Sequence, residues 1–278
     1  SGGDGLNLAE SVQLLSDLDR RTVNLMTSMN LTENTRLFFE GFQYTADSLE
    51  LVDQYNWNSI TFTGLSGPIT FRNDYPLLNQ QARDVLAANG ITSFRLSRAH
   101  RDLVENNASS GVITRRAVFG ADGNIAIGDR DFRWEASYTY GRNSSEYYSR
   151  QIDQQRFVNA LNVAVVNGRV VCSTTPTPGL IIPGGITTPV ADPNCVPLNL
   201  FGEGAPGQAA RDYVTVDLVA RAAQEQEVFN ANIGGALFDM WGGAFSANAG
   251  IERRIERADF QPDAFQRAGR GRSVAILP

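Results

Sequence analysis

The segment from residue 131 to residue 140, DFRWEASYTY, alternates apolar and polar side chains along its length. Its even positions carry the apolar and aromatic side chains, which are Phe132, Trp134, Ala136, Tyr138 and Tyr140. Its odd positions include the charged residues Arg133 and Glu135. Because successive side chains of a strand project to opposite faces, this pattern predicts a strand with one apolar face and one charged face.

The same alternation recurs along the chain. The side chains at alternate positions, apolar except for Thr27, are Val23, Leu25, Thr27 and Met29, then Phe38, Phe42 and Tyr44 with Glu40 as an exception on their face, then Phe229, Ala231 and Ile233, and finally Phe245, Ala247, Ala249 and Ile251. With a shorter pattern near Val112, they predict six strands, at about residues 20–30, 34–45, 112–121, 131–142, 226–238 and 243–256. Each has about ten residues, the length that a tilted membrane-spanning strand needs.

The connections between these strands alternate between short and long. Three pairs of strands are joined by a few residues each, whereas about residues 46–111 and 143–225 form two long connections. Compact soluble domains rarely contain loops of this length, but outer-membrane barrels have short periplasmic turns and long extracellular loops. The sequence therefore predicts an all-β fold: an antiparallel transmembrane β-barrel segment whose long loops face the outside and carry short helices. We expect Phe132, Trp134, Tyr138 and Tyr140 to belong to its membrane girdle.

Helical patterns are present in the long connections, at about residues 76–89, 154–165 and 207–214. Between the last two, the segment 174–206 is rich in Pro and Gly and predicts irregular loop. The two cysteines of the chain are Cys172, just before this segment, and Cys195, within it, and they suggest a disulfide formed in an oxidising compartment. A metal site is not expected, because the cysteines lack the close spacing of zinc ligands.

Composition restricts the function. The net charge of -6 argues against nucleic-acid binding. No catalytic residues and no cofactor are expected, since the single histidine, His100, lies in a polar segment typical of a solvated loop. All 24 basic residues are arginine, which binds phosphate in a bidentate manner and suits a surface in contact with lipopolysaccharide, although a GC-rich genome also favours arginine.

Aromatic and basic side chains are concentrated where the fourth predicted strand ends. Tyrosine offers a flat contact surface with a polar tip, and arginine binds carboxylate or phosphate. These side chains are the candidate ligand-binding residues: Arg142, Tyr147, Tyr148 and Arg150.

The chain resembles an internal part of the barrel of a TonB-dependent outer-membrane receptor, of the large kind found in alphaproteobacteria. The segments that carry the resemblance are Arg20–Tyr44, Phe94–Ser109, Asp131–Asn143, Gln154–Val163, Asp192–Val214 and Gln226–Gly243. The resemblance implies a 22-stranded barrel closed by a plug. Such a receptor imports a scarce nutrient, for example a siderophore, cobalamin or an oligosaccharide, with energy relayed by a TonB-type protein from the inner membrane.

Six strands are too few to close a barrel of this class. We therefore expect this chain to be a fragment, with the remaining strands and the plug domain outside it. Two alternatives remain open at this point. A passive porin-type channel has similar strands but no plug, and a soluble β-sandwich binding or adhesion domain has apolar faces that pack on each other.

Overall fold

The computed structural model describes residues 7, 13–51, 56–57, 67–105 and 107–270. Along the chain the elements are β1 (Asp17–Thr32), β2 (Thr35–Leu51), β3 (Asn56–Trp57), β4 (Ile69–Arg72), α1 (Gln80–Ala88), β5 (Ser93–Leu96), β6 (Arg98–Ala99), β7 (Asn107–Ile127), β8 (Arg130–Ile152), α2 (Gln154–Leu161), β9 (Val163–Val166), β10 (Arg169–Cys172), α3 (Gln208–Val214), β11 (Thr215–Met240), β12 (Gly243–Gln261) and α4 (Ala264–Arg267). The fold is mostly antiparallel β.

A single large sheet contains six of these strands. Its order is β1-β2-β7-β8-β11-β12, and all neighbouring strands are antiparallel. The six predicted segments fall on these six strands in the predicted order, so the antiparallel six-stranded arrangement is confirmed. The strands are longer than predicted, from 16 residues in β1 to 26 in β11. The long connections are correspondingly shorter, at 52–106 and 153–214.

The three short turns, at residues 33–34, 128–129 and 241–242, lie at the same end of the sheet because they all join neighbouring antiparallel strands. We call this the turn end. In the turn between β7 and β8, Gly128 has φ +64°, a conformation that glycine adopts without steric cost. The two long connections leave from the opposite end, which we call the loop end.

The register of the sheet defines two faces. Trp134 lies opposite Ile233 on β11 and Gly123 on β7, so the apolar positions of neighbouring strands share one face. The register also shows which face the aromatic side chains of β2 occupy. Phe38, Phe42 and Tyr44 share a face as predicted, but the register places Phe38 opposite Gly120, which is opposite Ser137 on the charged face. The β2 residues on the apolar face are instead Leu37 and Phe39.

The described residues of the two long connections, 67–105 and 153–214, fold together at the loop end, and we call them the loop body. They share a hydrophobic core with the end of β8. Its buried members are Ile69, Phe71, Tyr75, Leu78, Leu103, Val104, Ile152, Phe157, Val158, Ala160, Leu161, Val163, Ile182, Leu198, Leu200, Ala210, Tyr213 and Val214. The two connections therefore form one packed unit with a continuous apolar interior.

Aromatic rings join the two connections inside this core. The ring of Phe201, from the second connection, lies 5.0 Å from that of Phe71 and 6.0 Å from that of Phe94, both in the first. The Tyr75 hydroxyl donates a hydrogen bond of 2.7 Å to the Leu161 carbonyl. Each contact crosses from one connection to the other, so neither can unfold without disrupting its partner.

A polar cluster around Arg98 provides a second junction. Its guanidinium binds both carboxylate oxygens of Asp102, at 2.7 and 2.5 Å, and donates to the carbonyls of Leu200 and Gly202. The Gly204 N–H donates to Asp102 at 2.9 Å. The charges are therefore paired where the first connection meets the second.

His100 belongs to the same cluster, and the prediction that it is solvated was wrong. Its side chain is fully buried, its ring lies 5.6 Å from that of Phe157, and its Nδ1 is 3.1 Å from a guanidinium nitrogen of Arg98. The polar neighbours of His100 in the sequence suggested a solvated loop, but the second connection covers this loop.

The predicted disulfide between Cys172 and Cys195 is confirmed. It links β10 to the Pro/Gly-rich segment. The hairpin of β9 and β10 turns at Asn167 and Gly168, whose φ values of 50° and 76° are those of a type I′ turn. The disulfide thus attaches a segment without regular structure to a hairpin of defined register.

The helices are all short. The structure gives α1, α2 and α3 seven to nine residues each, and the predicted second helix ends early because residues 163–166 form a strand instead. The Asp153 carboxylate caps α2 and forms an ion pair with Arg270 beyond α4. No helix among the described residues is long and apolar enough to cross a membrane.

Candidate functional site: the two faces of the sheet

The apolar side chains of all six strands form a continuous band on one face, toward the turn end. We call it the apolar band. Its members are Val23, Leu25, Met29, Leu37, Phe39, Phe119, Ala121, Ile125, Phe132, Trp134, Ala136, Tyr138, Tyr140, Phe229, Ala231, Ile233, Phe245, Ala247, Ala249 and Ile251. All four predicted girdle residues belong to it. At about 3.3 Å per residue, Phe132 and Tyr140 lie roughly 26 Å apart along β8.

The band is exposed. Leu25 is 59% exposed, Phe119 58% and Ile251 68%, values far from those of a core. Large contiguous apolar surfaces are uncommon on water-soluble monomers and mark contact with lipid or protein.

Tyr138 and Tyr140 form the boundary of the band toward the loop end. The Tyr138 hydroxyl donates to Glu227 at 3.1 Å, and Glu227 also accepts from Arg257 at 2.6 Å. Beyond this level the same face is charged. The other cross-strand ion pairs there are Arg142–Glu225 at 3.2 Å, Arg221–Glu146 at 2.7 Å and Arg150–Asp217 at 3.6 Å. The face therefore changes from apolar to charged within two residues of each central strand.

The opposite face is polar at the height of the apolar band. Arg36 binds Asp122 with two hydrogen bonds, at 3.0 and 2.6 Å, and Arg133 lies 3.9 Å from the same carboxylate. A shallow pocket of about 390 Å³ adjoins Arg133, Glu135 and Asn232. Amides and hydroxyls occupy much of the remaining surface: Asn24, Asn124, Ser137, Thr139, Asn143, Asn230 and Asn248.

Toward the loop end the polar face becomes buried. Ala108, Ser149 and Leu218 lie side by side on β7, β8 and β11 and are no more than 3% exposed. On the other face, the adjacent Tyr148 is 40% exposed. At this level the burial is one-sided, which places part of the loop body over the polar face. At the last residue of β8, Ile152 is also buried, on the side of the apolar band.

The structure does not bring the four predicted ligand-binding residues together. Arg142, Tyr148 and Arg150 lie on the face of the apolar band, beyond its tyrosine boundary, whereas Tyr147 lies on the polar face opposite Ser110 and Ala220. Arg142 and Arg150 are about 26 Å apart along β8. Adjacent residues of a strand project to opposite faces, so the sequence alone could have placed Tyr147 and Tyr148 on different faces.

Arg142 lines a groove of about 470 Å³ on the charged part of its face. Small side chains, Ser144 and Ala223, form its floor, and Glu146 and Arg221 lie along one side. Asp47, Glu146 and Asp259 also line the groove, so its two guanidinium groups are outnumbered by carboxylates and it has no excess of positive charge.

Several groups in the loop body have shifted pKa values, and three of them join its loop segments. Burial raises the pKa of Tyr213 to about 12. The N–H of Asn194 and the Tyr213 hydroxyl both donate to Asp192 and hold the pKa of its carboxyl below the usual range. Burial works against ionisation of Asp102, but the Arg98 guanidinium and the Gly204 N–H outweigh it and lower that pKa as well. These groups join loop segments, and each is paired within the body.

Within the residues that the structure describes, no group of three or more His, Cys, Asp and Glu side chains is arranged to hold a metal ion. No protein-family model matches the chain, and no curated protein is similar enough to count as a relative. The argument for a function therefore rests on the two faces of the sheet and on the loop body.

Proposed function

We propose that this chain is part of the barrel of an outer-membrane transporter of the TonB-dependent kind, with the apolar band facing lipid and the polar face lining the lumen. The observation that carries the proposal is the exposed apolar band, roughly 26 Å along β8, on the reverse side of a face rich in charges and amides. Outer-membrane barrels have an outward apolar band about 25 Å tall, flanked by aromatic residues, and a polar interior. At their usual strand tilt of about 40°, the band on β8 would be roughly 20 Å tall.

The arrangement of the connections supports the same proposal. Short turns at one end match the periplasmic side, and the loop body at the other end matches the extracellular side. Strands of 23 and 26 residues are longer than the ~9–11 residues that span a bilayer, so β8 and β11 would extend beyond the membrane on the outside. The charged surface beyond Tyr140 would then contact the headgroups of lipopolysaccharide.

The proposed orientation of the sheet, with the apolar band toward lipid and the polar face toward the lumen, is tested with a matched pair of labels on adjacent residues. The whole protein carries a nitroxide at Ala136→Cys, in the apolar band, or at Ser137→Cys, on the polar face, and is reconstituted in vesicles. Cys172 and Cys195 are joined in a disulfide and do not react. We expect the label at 136 to be relaxed by oxygen dissolved in lipid, and the label at 137 by a water-soluble nickel chelate.

Two outcomes contradict the membrane position. Equal access of the nickel chelate to both labels means that both faces are in water. Protection of the label at 136 from both relaxing agents means that protein covers the apolar band, as in a β-sandwich.

Active transport requires a plug and a TonB-type partner, both of which lie outside this chain in the proposal. It is tested in cells by uptake of labelled cobalamin, a ferric hydroxamate and maltohexaose across the outer membrane. We expect a protonophore to abolish uptake of the transported probe, because the energy comes from the inner membrane. Uptake that continues at the same rate indicates a passive porin-type channel, and uptake of none of the probes argues against this transport role.

A further inference from the structure

Three aromatic side chains of β2 lie on the polar face of the sheet. Phe38, Phe42 and Tyr44, which we call the aromatic track, occupy alternate positions of the strand and are half-buried. They span roughly 20 Å along β2. Apolar rings on a polar face do not belong to the apolar band, so their position needs a separate explanation.

The ring of Phe38 lies flat against the sheet. A Cβ placed on Gly120 would lie 2.1 Å from Cζ of Phe38 and 2.6 and 2.7 Å from its two Cε atoms. Because Cζ and both Cε atoms are close to this Cβ position, the position lies above the plane of the ring and not beside its edge. One side of the ring therefore covers the glycine backbone, and the other side is directed away from the sheet.

Hydrogen-bonding side chains surround the track. Glu40 lies between Phe38 and Phe42 on β2 and is exposed, and Arg116 lies opposite Phe42 on β7 and is also exposed. Asn143 on the next strand donates to Thr114, which lies opposite Tyr44, at 2.7 Å. Glu40 and Arg116 carry opposite charges, and Arg36 beside Phe38 is paired with Asp122, so the charges around Phe38 and Phe42 are balanced.

We propose that the aromatic track, with Glu40, Arg116 and Asn143 beside it, is a binding site for a neutral oligosaccharide. The apolar side of a sugar ring can lie on a flat aromatic ring while its hydroxyls reach carboxylate, guanidinium and amide groups. An anionic chelate would instead require an excess of arginine, which this site lacks. The inference rests on the proposed function, because the track is on a lumen wall only if the polar face lines the barrel.

The test measures binding of neutral linear hexasaccharides to the whole protein in detergent by titration calorimetry. The panel contains maltohexaose, cellohexaose, xylohexaose and fully N-acetylated chitohexaose. We expect one of them to bind, and Phe38→Ala and Phe42→Ala each to weaken its binding about tenfold, as for loss of an aromatic anchor. The control is Phe39→Ala, which removes the same side chain from the same strand on the opposite face and leaves binding unchanged.

A second variant displaces a ring without removing it. Gly120→Ala places a methyl group where the Phe38 ring lies, so the ring has to tilt. We expect this variant to weaken binding as Phe38→Ala does, because a tilted ring no longer offers its flat side.

Three outcomes overturn the inference: no hexasaccharide of the panel binds, binding is unaffected by both alanine variants, or Phe39→Ala weakens binding as much as they do. If the track variants lower only thermal stability, the rings pack against another part of the protein. The failure of this inference can be distinguished from the failure of the proposed function. If the label at 136 faces lipid but no oligosaccharide binds, the binding site is rejected and the barrel proposal stands.

Discussion

The loop body and the sheet are two parts of one chain that place their apolar side chains in opposite ways. In the loop body, Phe71 and Phe157 are fully buried, because removing large apolar side chains from water is favourable. In the sheet, Phe119 of β7 is 58% exposed, while Asp122 on the reverse face of the same strand is 7% exposed. The difference teaches that the loop body hides its large apolar side chains inside the chain, whereas the sheet presents them on its surface, as the proposed contact with lipid requires.

The two parts also differ in what stabilises them. The sheet depends on backbone hydrogen bonds between long neighbouring strands. These hydrogen bonds run between the strands and stay intact whatever contacts the two faces. The loop body has short elements and depends on its core, on the Arg98 cluster and on the disulfide. Core substitutions should therefore be far more damaging in the loop body than in the apolar band.

The largest expected effect comes from one substitution made in both parts. Phe71→Ala should destabilise the loop body by about 3–5 kcal/mol, because it leaves a cavity between the rings of Tyr75, Phe94 and Phe201. Phe229→Ala in the apolar band, where Phe229 is 42% exposed, should change stability by about 1 kcal/mol or less. Hydrogen exchange of the whole protein in detergent, read peptide by peptide, measures both. Similar losses at the two sites would mean that the apolar band is a protein core.

The next effect concerns the disulfide. Replacing both cysteines, Cys172→Ser with Cys195→Ser, should lower the stability of the loop body by about 3 kcal/mol, because the unfolded segment between them gains chain entropy. Exchange should increase in peptides from 67–105 and 153–214, which share one core, and stay unchanged in β11 and β12 beyond residue 221. Increased exchange throughout the sheet would show that the two parts unfold together.

A smaller effect depends on pH. The folded pKa of Asp102 is lowered, so its contribution to stability is complete above the unfolded value of about 3.9 and is lost as the pH falls through the folded value. At neutral pH, Asp102→Asn should destabilise the loop body by about 2 kcal/mol, since it removes a charged partner of Arg98. The gap between the two proteins should close below pH 4. Asp84→Asn, on exposed α1, is the control, and an unchanged gap at low pH would contradict the assignment to Asp102.

Much of the sheet could be predicted because strand alternation is a local signal. The pattern at residues 131–140 placed Trp134 and Arg133 on opposite faces without any knowledge of their neighbours. The face occupied by Phe38 and Phe42 was not predictable in this way. It depends on the register between β2 and β7, and the apolar Phe39 and Leu37 on the other face hid the alternation.

The loop body illustrates what local patterns leave out. Phe201 contacts Phe71 from 130 positions away in the chain, and the segment around Phe201 is rich in glycine and proline, so it predicts only irregular loop. His100 was misplaced for the same reason, since the second connection buries it. The candidate site shared this limit, because the aromatic track emerges only after the strands have been aligned.

The smallest effect is expected from a substitution that strains the backbone of one residue in the loop body. Gly168 in the hairpin between β9 and β10 has φ 76° and has open space around its Cβ position, so Gly168→Ala introduces conformational strain but no clash. We expect a loss of about 1 kcal/mol, seen as faster exchange in β9 and β10. Gly185→Ala is the matched control, because Gly185 also has open space but no positive φ. Equal effects at the two glycines would mean that the hairpin turn does not restrain the loop body. In that case, the disulfide and the core would hold the hairpin in place without help from its turn.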